Sequence, residues 1–263
     1  MTKPKRQKKP AGGRPPVIMI HGGFCGPWVW DGFAQKFEAA GYDVHRPALR
    51  FHDMDKPPEA LGTTSLKDYA ADIEAAMENL EAAPILVGHS LGGLLAQMLA
   101  ARRPVKACVL LAPSAPWGVP PSTLFEIGAA QAMLLQAGFW TQILSPDSII
   151  ASWHFLDRYP AAEQKILFKR FGPESGRATF EMMHWGMDMG RASEVDARKV
   201  TCPLLLLAGG EDRIHPPGTV ERIAALYGDL ATFEKQPGMS HWLIGEPGWE
   251  KVCERTLAWL ERI

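Results

Sequence analysis

Short apolar runs separated by longer amphipathic stretches set the rhythm of the chain. Val17-Ile18-Met19-Ile20 stops abruptly at His21-Gly22-Gly23, the pattern of a strand buried on both faces and ended by a turn. Similar runs recur at residues 42–46, 84–87, 106–111, 202–208 and 232–236. Between most of them lie helical patterns. The clearest covers residues 65–82, where Leu66, Tyr69, Ala70, Ile73, Met77 and Leu80 recur at helical spacing. Ser65 is its expected N-cap, and Asp68 stands at the third helical position as a variant capping box. Further helices are expected at 28–40, 91–101, 217–227 and 249–262.

Strands alternating with helices predict an α/β fold, a mostly parallel, doubly wound sheet covered on both faces. The rhythm breaks once. Residues 113–200 contain no convincing buried strand and instead carry Met- and Trp-rich helical patterns at 123–139, 161–171 and 177–189. The expected organisation is therefore a core of residues 17–112 and 201–263, interrupted by a helical lid at 113–200.

Composition narrows the function classes. With 263 residues, 46% hydrophobic and 22% charged, the chain has a globular protein's balance and enough length for a large core. No apolar run approaches the roughly 20 residues of a membrane span. The net charge is −1, but Lys3, Lys5, Arg6, Lys8 and Lys9 stand in the first ten positions without an acid, so the body is mildly acidic. That gives no support to nucleic-acid binding. Residues 1–16 read as a basic, disordered leader, and no secretory apolar stretch follows the basic cluster. Cys25, Cys108, Cys202 and Cys253 show neither metal-site nor disulfide-framework spacing, so reduced thiols and a cytoplasmic location are expected. The sequence leaves the oligomeric state open.

Gly88-His89-Ser90-Leu91-Gly92 fits G-x-S-x-G, and it stands between an expected strand and an expected helix. That context holds the serine on a sharp, strained turn, with the helix dipole aimed at its oxygen. The flanking glycines suit a turn so tight that a side chain there would collide. A serine hydroxyl needs a base, and the base needs an orienting carboxylate. Both follow in chain order. The strand near 204–208 ends in Gly209-Gly210-Glu211-Asp212, and Asp212 is better placed than Glu211 because Arg-Ile-His-Pro-Pro turns the chain away after it. His241 follows the last strand in a loop near the same sheet edge. Of the other histidines, His21 and His89 read as turn-shaping residues, His45, His52, His154 and His215 as surface or loop residues, and His184 as the one rival. The loop after the first strand should offer the Gly23 N–H to an oxyanion, with Leu91 N–H as second donor and the Phe24 ring facing the acyl pocket. Trp117 and Trp185 are the expected pocket-roofing side chains. Neither a metal nor a cofactor is required.

These residues together resemble the α/β-hydrolase superfamily over residues 17–263. HGGFCGPWVW with ILVGHSLGG is most similar to the branch of plant methylesterases and hydroxynitrile lyases, whose members carry a comparable H-G-x-x-x-G-x-W-x-W stretch. The resemblance implies a triad of Ser90, Asp212 and His241 and oxyanion amides at Gly23 and Leu91. The lyases place a lysine after the histidine, whereas this chain has Trp242, which argues against cyanohydrin chemistry. Dehalogenases and epoxide hydrolases use an aspartate at the elbow, and Ser90 argues against both. The expected activity is hydrolysis of a medium-sized apolar ester, lactone or thioester through an acyl-enzyme. Two alternatives stay open: carbon–carbon hydrolysis, with Arg177 or Arg191 binding a substrate carboxylate, and a non-catalytic ligand-binding module.

Overall fold

The computed structural model describes residues 13–263, so most of the basic leader, residues 1–12, lies outside the described residues. From residue 13 the backbone runs directly into the sheet, and Arg14 donates to the Tyr42 hydroxyl at 3.0 Å.

The core elements alternate as the apolar pattern requires. In chain order they are β1 (Val17–Ile20), α1 (Asp31–Ala39), β2 (Val44–His45), α2 (Leu66–Met77), β3 (Ile85–His89), α3 (Leu91–Ala100) and β4 (Ala107–Leu111). The insertion then contributes α4 (Leu124–Leu134), β5 (Ile143–Leu144) and α5 (Ser148–Ile150), which runs into a π-helical turn at Ala151–Phe155. It continues with α6 (Ala161–Phe168), β6 (Glu174–Ser175) and α7 (Gly176–Met183). The core resumes with β7 (Leu204–Gly209), α8 (Pro217–Ala225), β8 (Ala231–Gln236) and α9 (Trp249–Leu260).

Six strands form one sheet in the order β2-β1-β3-β4-β7-β8, with every pairing parallel. Side chains of successive residues alternate faces, and the core divides accordingly. Ile18, Ile20, Leu86, Cys108, Leu110, Leu204 and Leu206 pack with α2, α3 and α8. Val17, Met19, Val87, Val109, Leu205 and Leu207 pack on the other face with α1 and α9. Burial on both faces explains why these strands are continuous apolar runs rather than alternating ones. Because all six strands run the same way, the chain leaves β1, β3, β4 and β7 at one edge of the sheet. That edge carries the site.

Two expectations need adjustment inside the insertion. The stretch does contain strands, the two-residue antiparallel pair β5 and β6, too short to show as an apolar run. The helical pattern at 177–189 ends at Met183, and that at 123–139 ends at Leu134. All four cysteines are buried free thiols. No helix among the described residues is long and apolar enough to cross a membrane.

The expected cap of α2 is present in full. Ser65 Oγ accepts from Lys67 N–H at 3.1 Å, and Asp68 Oδ2 accepts from Ser65 N–H at 2.9 Å. The Ser65 hydroxyl also donates to Glu181 Oε2 at 2.9 Å, tying α2 to α7 of the insertion. Ser65→Ala is expected to cost about 1–2 kcal/mol in urea unfolding, a lost cap plus a lost bond to a buried carboxylate. A loss under about 0.5 kcal/mol would mean that neither bond contributes.

Candidate active site

Ser90 joins β3 to α3 with φ 53° and ψ −120°, a conformation that costs a non-glycine residue roughly 1–3 kcal/mol. The turn is held by its backbone: Ser90 N–H donates to Leu111 O at 3.1 Å, and Ser90 O accepts from Ser114 N–H at 3.0 Å. A Cβ at Gly88 would overlap the Gly92 carbonyl, and one at Gly92 would overlap the Ile20 carbonyl. The helix therefore passes against the end of β1 at backbone contact. Leu91 is the first residue of α3, so its N–H has no intrahelical acceptor and points with the positive end of the dipole.

The other two groups reach the same edge from the loops after β7 and β8. His241 Nδ1 stands 2.8 Å from Asp212 Oδ2, with both side chains fully buried. Asp212 Oδ1 accepts from Ile214 N–H at 2.7 Å and His215 N–H at 2.9 Å. Glu211 turns outward and pairs with Arg158. Two contacts fix the His241 loop. His89 Nε2–H donates to the His241 carbonyl at 2.9 Å, and buried Glu246 accepts from both Ser240 N–H and the Ser240 hydroxyl. Among the described residues, His241 Nε2 has no hydrogen-bond partner. Burial pushes His241 down to about 3, and it pushes Asp212 up to about 7 against the pull of His215 and the two backbone N–H groups. The resting pair is thus a neutral imidazole, its Nδ1 proton directed at Asp212 and its Nε2 lone pair available as a base.

Around this couple the structure brings residues that the sequence reading set aside. His215, expected in a surface loop, packs its ring 5.1 Å from that of His241 and keeps Nε2 2.8 Å from the Ser114 hydroxyl oxygen. Phe155, on the π-helical turn, meets the His241 ring edge-on at 5.1 Å, and Phe171, Trp28 and Trp242 continue the aromatic run. No periodic signal marks Phe155, because a π turn has no repeat long enough to read. His184 binds Ala130 O and stacks on Phe180 within the insertion. Trp117 and Trp185 pair with each other at 5.5 Å, and the Arg191 guanidinium covers Trp117. Among the described residues, the N–H groups of Gly23 and Leu91 donate to no protein acceptor, whereas Phe24 N–H is taken by Glu174 Oε2 at 3.2 Å.

A parallel sheet with a strained serine between strand and helix, and a His–Asp couple in the loops at the same edge, is the arrangement of the α/β-hydrolase class. The chain belongs to the alpha/beta hydrolase family, whose profile matches residues 17–254. Proteins similar to it include an esterase and a lipase. It is 32% identical over 95 residues to a pyrethroid hydrolase of Sphingobium wenxiniae, covering 36% of this chain and 34% of that protein. It is 30% identical over 95 residues to methylesterase 3 of Arabidopsis thaliana, covering 35% and 36% respectively. The matched stretch thus spans about a third of the length of these relatives. The fold is similar to the Paleococcus ferrophilus monoacylglycerol lipase, with a TM-score of 0.69 and 25% identity over 94% of this chain and 95% of that one.

Burial of Asp212 has a stability consequence with a definite sign. An acid whose folded pKa is raised binds more protons when folded, so the shift costs no stability below about pH 4, where the acid is protonated folded or unfolded, and progressively more as pH rises to about 7, above which the full cost stands. Asp212→Asn keeps an oxygen for the Ile214 and His215 N–H groups and removes the charge. Its melting temperature is expected to equal or exceed that of the wild type at pH 8, with the difference closing toward pH 4. A variant that melts several degrees lower at pH 8 would show that the carboxylate stabilises the fold.

Proposed function

We propose that the chain is a serine esterase that works through an acyl-enzyme on Ser90. The observation that carries this reading is the strained Ser90 at the start of α3 together with a buried His241–Asp212 couple in the loops at the same sheet edge, whose Nε2 has no partner among the described residues. Ser90 Oγ attacks the ester carbonyl carbon while His241 Nε2 takes its proton. The carbonyl oxygen becomes an oxyanion held by the N–H groups of Gly23 and Leu91. On collapse the carbon–oxygen bond to the alcohol breaks, and His241 returns the proton to the leaving oxygen. Water then attacks the acyl-enzyme, with His241 as base, and releases the acid and free Ser90. Asp212 holds the Nδ1–H throughout and stabilises the imidazolium.

The insertion acts as a lid over this site. Supporting the apolar substrate class, the ring that meets His241 is Phe155, and Phe171, Trp28 and Trp242 continue the aromatic packing from it. The matched relatives include a pyrethroid hydrolase and a methylesterase. The carbon–carbon alternative needs a cation for a substrate carboxylate. Of the two candidates, Arg191 is already engaged by the Trp117 ring and Glu194, and Arg177 stands on α7.

Ser90→Ala is expected to keep the wild-type melting curve and lose several orders of magnitude in turnover of a p-nitrophenyl ester, since triad members act as a unit. Retention of more than a tenth of kcat would remove the covalent mechanism. Asp212→Asn should lower kcat by about 10³–10⁴, whereas Glu211→Gln, which faces Arg158, should change it little. The reverse ranking would move the orienting acid to Glu211. Across a C2-to-C10 acyl series kcat/KM should rise, each buried methylene adding up to ~0.8 kcal/mol until the pocket is full. A steep fall beyond C2 would overturn the apolar substrate class.

A further inference from the structure

Outside the Ser–His–Asp couple, the most densely bonded buried acid is Glu174, in β6 of the insertion. Its side chain is 2% exposed, and each oxygen takes two donors. Oε1 accepts from the Tyr69 hydroxyl at 2.6 Å and Ser175 N–H at 2.6 Å. Oε2 accepts from His52 Nε2 at 3.2 Å and Phe24 N–H at 3.2 Å. His52, expected at the surface, has its side chain 1% exposed, and its Nδ1 lies 3.0 Å from the Arg50 carbonyl. Both ring nitrogens of His52 therefore face acceptors that cannot donate, which makes the ring an imidazolium. Burial works against charge on both groups. The His52 charge and the Tyr69 and Ser175 donors nevertheless hold Glu174 below the ordinary carboxylate range, and Glu174 holds His52 above the ordinary imidazole. His21 beside them is neutral, donating from Nδ1 to Gly22 O and accepting Leu49 N–H at Nε2.

The pair meets the expected oxyanion loop at Phe24 N–H. Phe24 holds φ 59°, a left-handed conformation that costs a bulky residue and must be imposed from outside. The one side chain that grips its N–H is Glu174, and a Cβ on Gly23 would stand 3.2 Å from the same Oε2. We propose that Glu174 is a positioning residue for the oxyanion hole, fixing the peptide of Phe24 so that the Gly23 N–H, rather than the Phe24 N–H, faces the developing charge, while His52 neutralises the carboxylate beside it. The inference rests on the acyl-transfer reading above. It also means that the oxyanion loop is completed only when the insertion is seated, because Glu174 belongs to the insertion and His52, Tyr69 and Phe24 to the core.

The test compares wild type, Glu174→Ala, Glu174→Gln and Tyr69→Phe, each checked by melting. It reads kcat, KM and inhibition by an arylboronic acid, whose tetrahedral adduct on a serine mimics the oxyanion. Glu174→Ala is expected to lower kcat and boronate affinity together by roughly 10- to 100-fold, with KM within about threefold. Glu174→Gln keeps an acceptor for Phe24 N–H and should recover most of the loss. A folded alanine variant with wild-type kcat, or a loss confined to KM, overturns the proposal. If Glu174→Ala does not fold, Tyr69→Phe decides, since it frees one of the four carboxylate donors at nearly constant shape. A loss of roughly two- to tenfold in kcat and boronate affinity is then expected, and unchanged values overturn the proposal. The parent reading fails by a different result: no fluorophosphonate labelling of Ser90 in the wild type, whatever the Glu174 variants do.

Discussion

The crossing of α3 over the end of β1 is the constraint on which the rest of the site depends. Ser90 can adopt φ 53° only because the backbone on either side is fixed by the sheet, through the Leu111 carbonyl and the Ser114 amide. The helix can begin there only because Gly92 lets it lie against the Ile20 carbonyl. That contact sets the distance between the helix N-terminus and the loop at Gly22–Phe24. The parallel sheet does the remainder. It delivers the loops after β7 and β8 to the same edge, where Gly209 lies directly under the Ser240 backbone, so the acid and the histidine meet without long excursions.

Two buried acid–histidine pairs occupy this edge, and their charge states differ for a physical reason. His241 has one acceptor, Asp212, and an unpartnered Nε2, so nothing in the resting site repays the cost of a second ring proton. His52 has an acceptor at each nitrogen, and its partner Glu174 is saturated by two further donors from Tyr69 and Ser175. One pair sets a neutral ring against its acid, and the other is ionic at rest. Replacing the second by apolar residues of equal volume would cost little by burial alone. What such a replacement could not reproduce is the grip on Phe24 N–H.

The core was legible because each of its signals has a short repeat. Continuous apolar runs of four to six residues separated by helical spacing report strands buried on two faces, and Ser65 with Asp68 reports the start of α2 from four positions alone. Ser90, Asp212 and His241 could be placed at one sheet edge because each follows a strand end closely, and there the side chains of Asp212 and His241 meet. His215 and His52 could not be placed in this way. Each lies in a loop whose composition suits a surface, and each is buried by a partner far along the chain: Ser114 for His215, 101 residues away, and Glu174 for His52, 122 residues away. Sequence spacing holds no trace of such a contact.

The insertion was opaque for a different reason, which also bears on how it is held. Ten of the fourteen exposed large apolar side chains among the described residues lie between 113 and 200, Leu124, Leu135 and Trp153 among them. A helix such as α4, with no buried residue, cannot show the one-sided periodicity that burial writes into a sequence. Its attachment is polar instead. Glu126 collects the donors of Ser122, Thr123 and Thr219, His184 donates to Ala130 O, and further along Glu181 and Glu174 bind α2 and the loop after β1. Each such bond contributes about 0.5–1.5 kcal/mol, or 1.5–3 where a charge takes part, and each is directional. Val119, Ala178 and Ala192 of the insertion also join the apolar core, and to that non-directional contact these bonds add a fixed position. The seated insertion is therefore the state in which Phe155 meets His241 and Glu174 meets Phe24, so the polar anchors that hide it from sequence reading are the same ones that fix the geometry of the site.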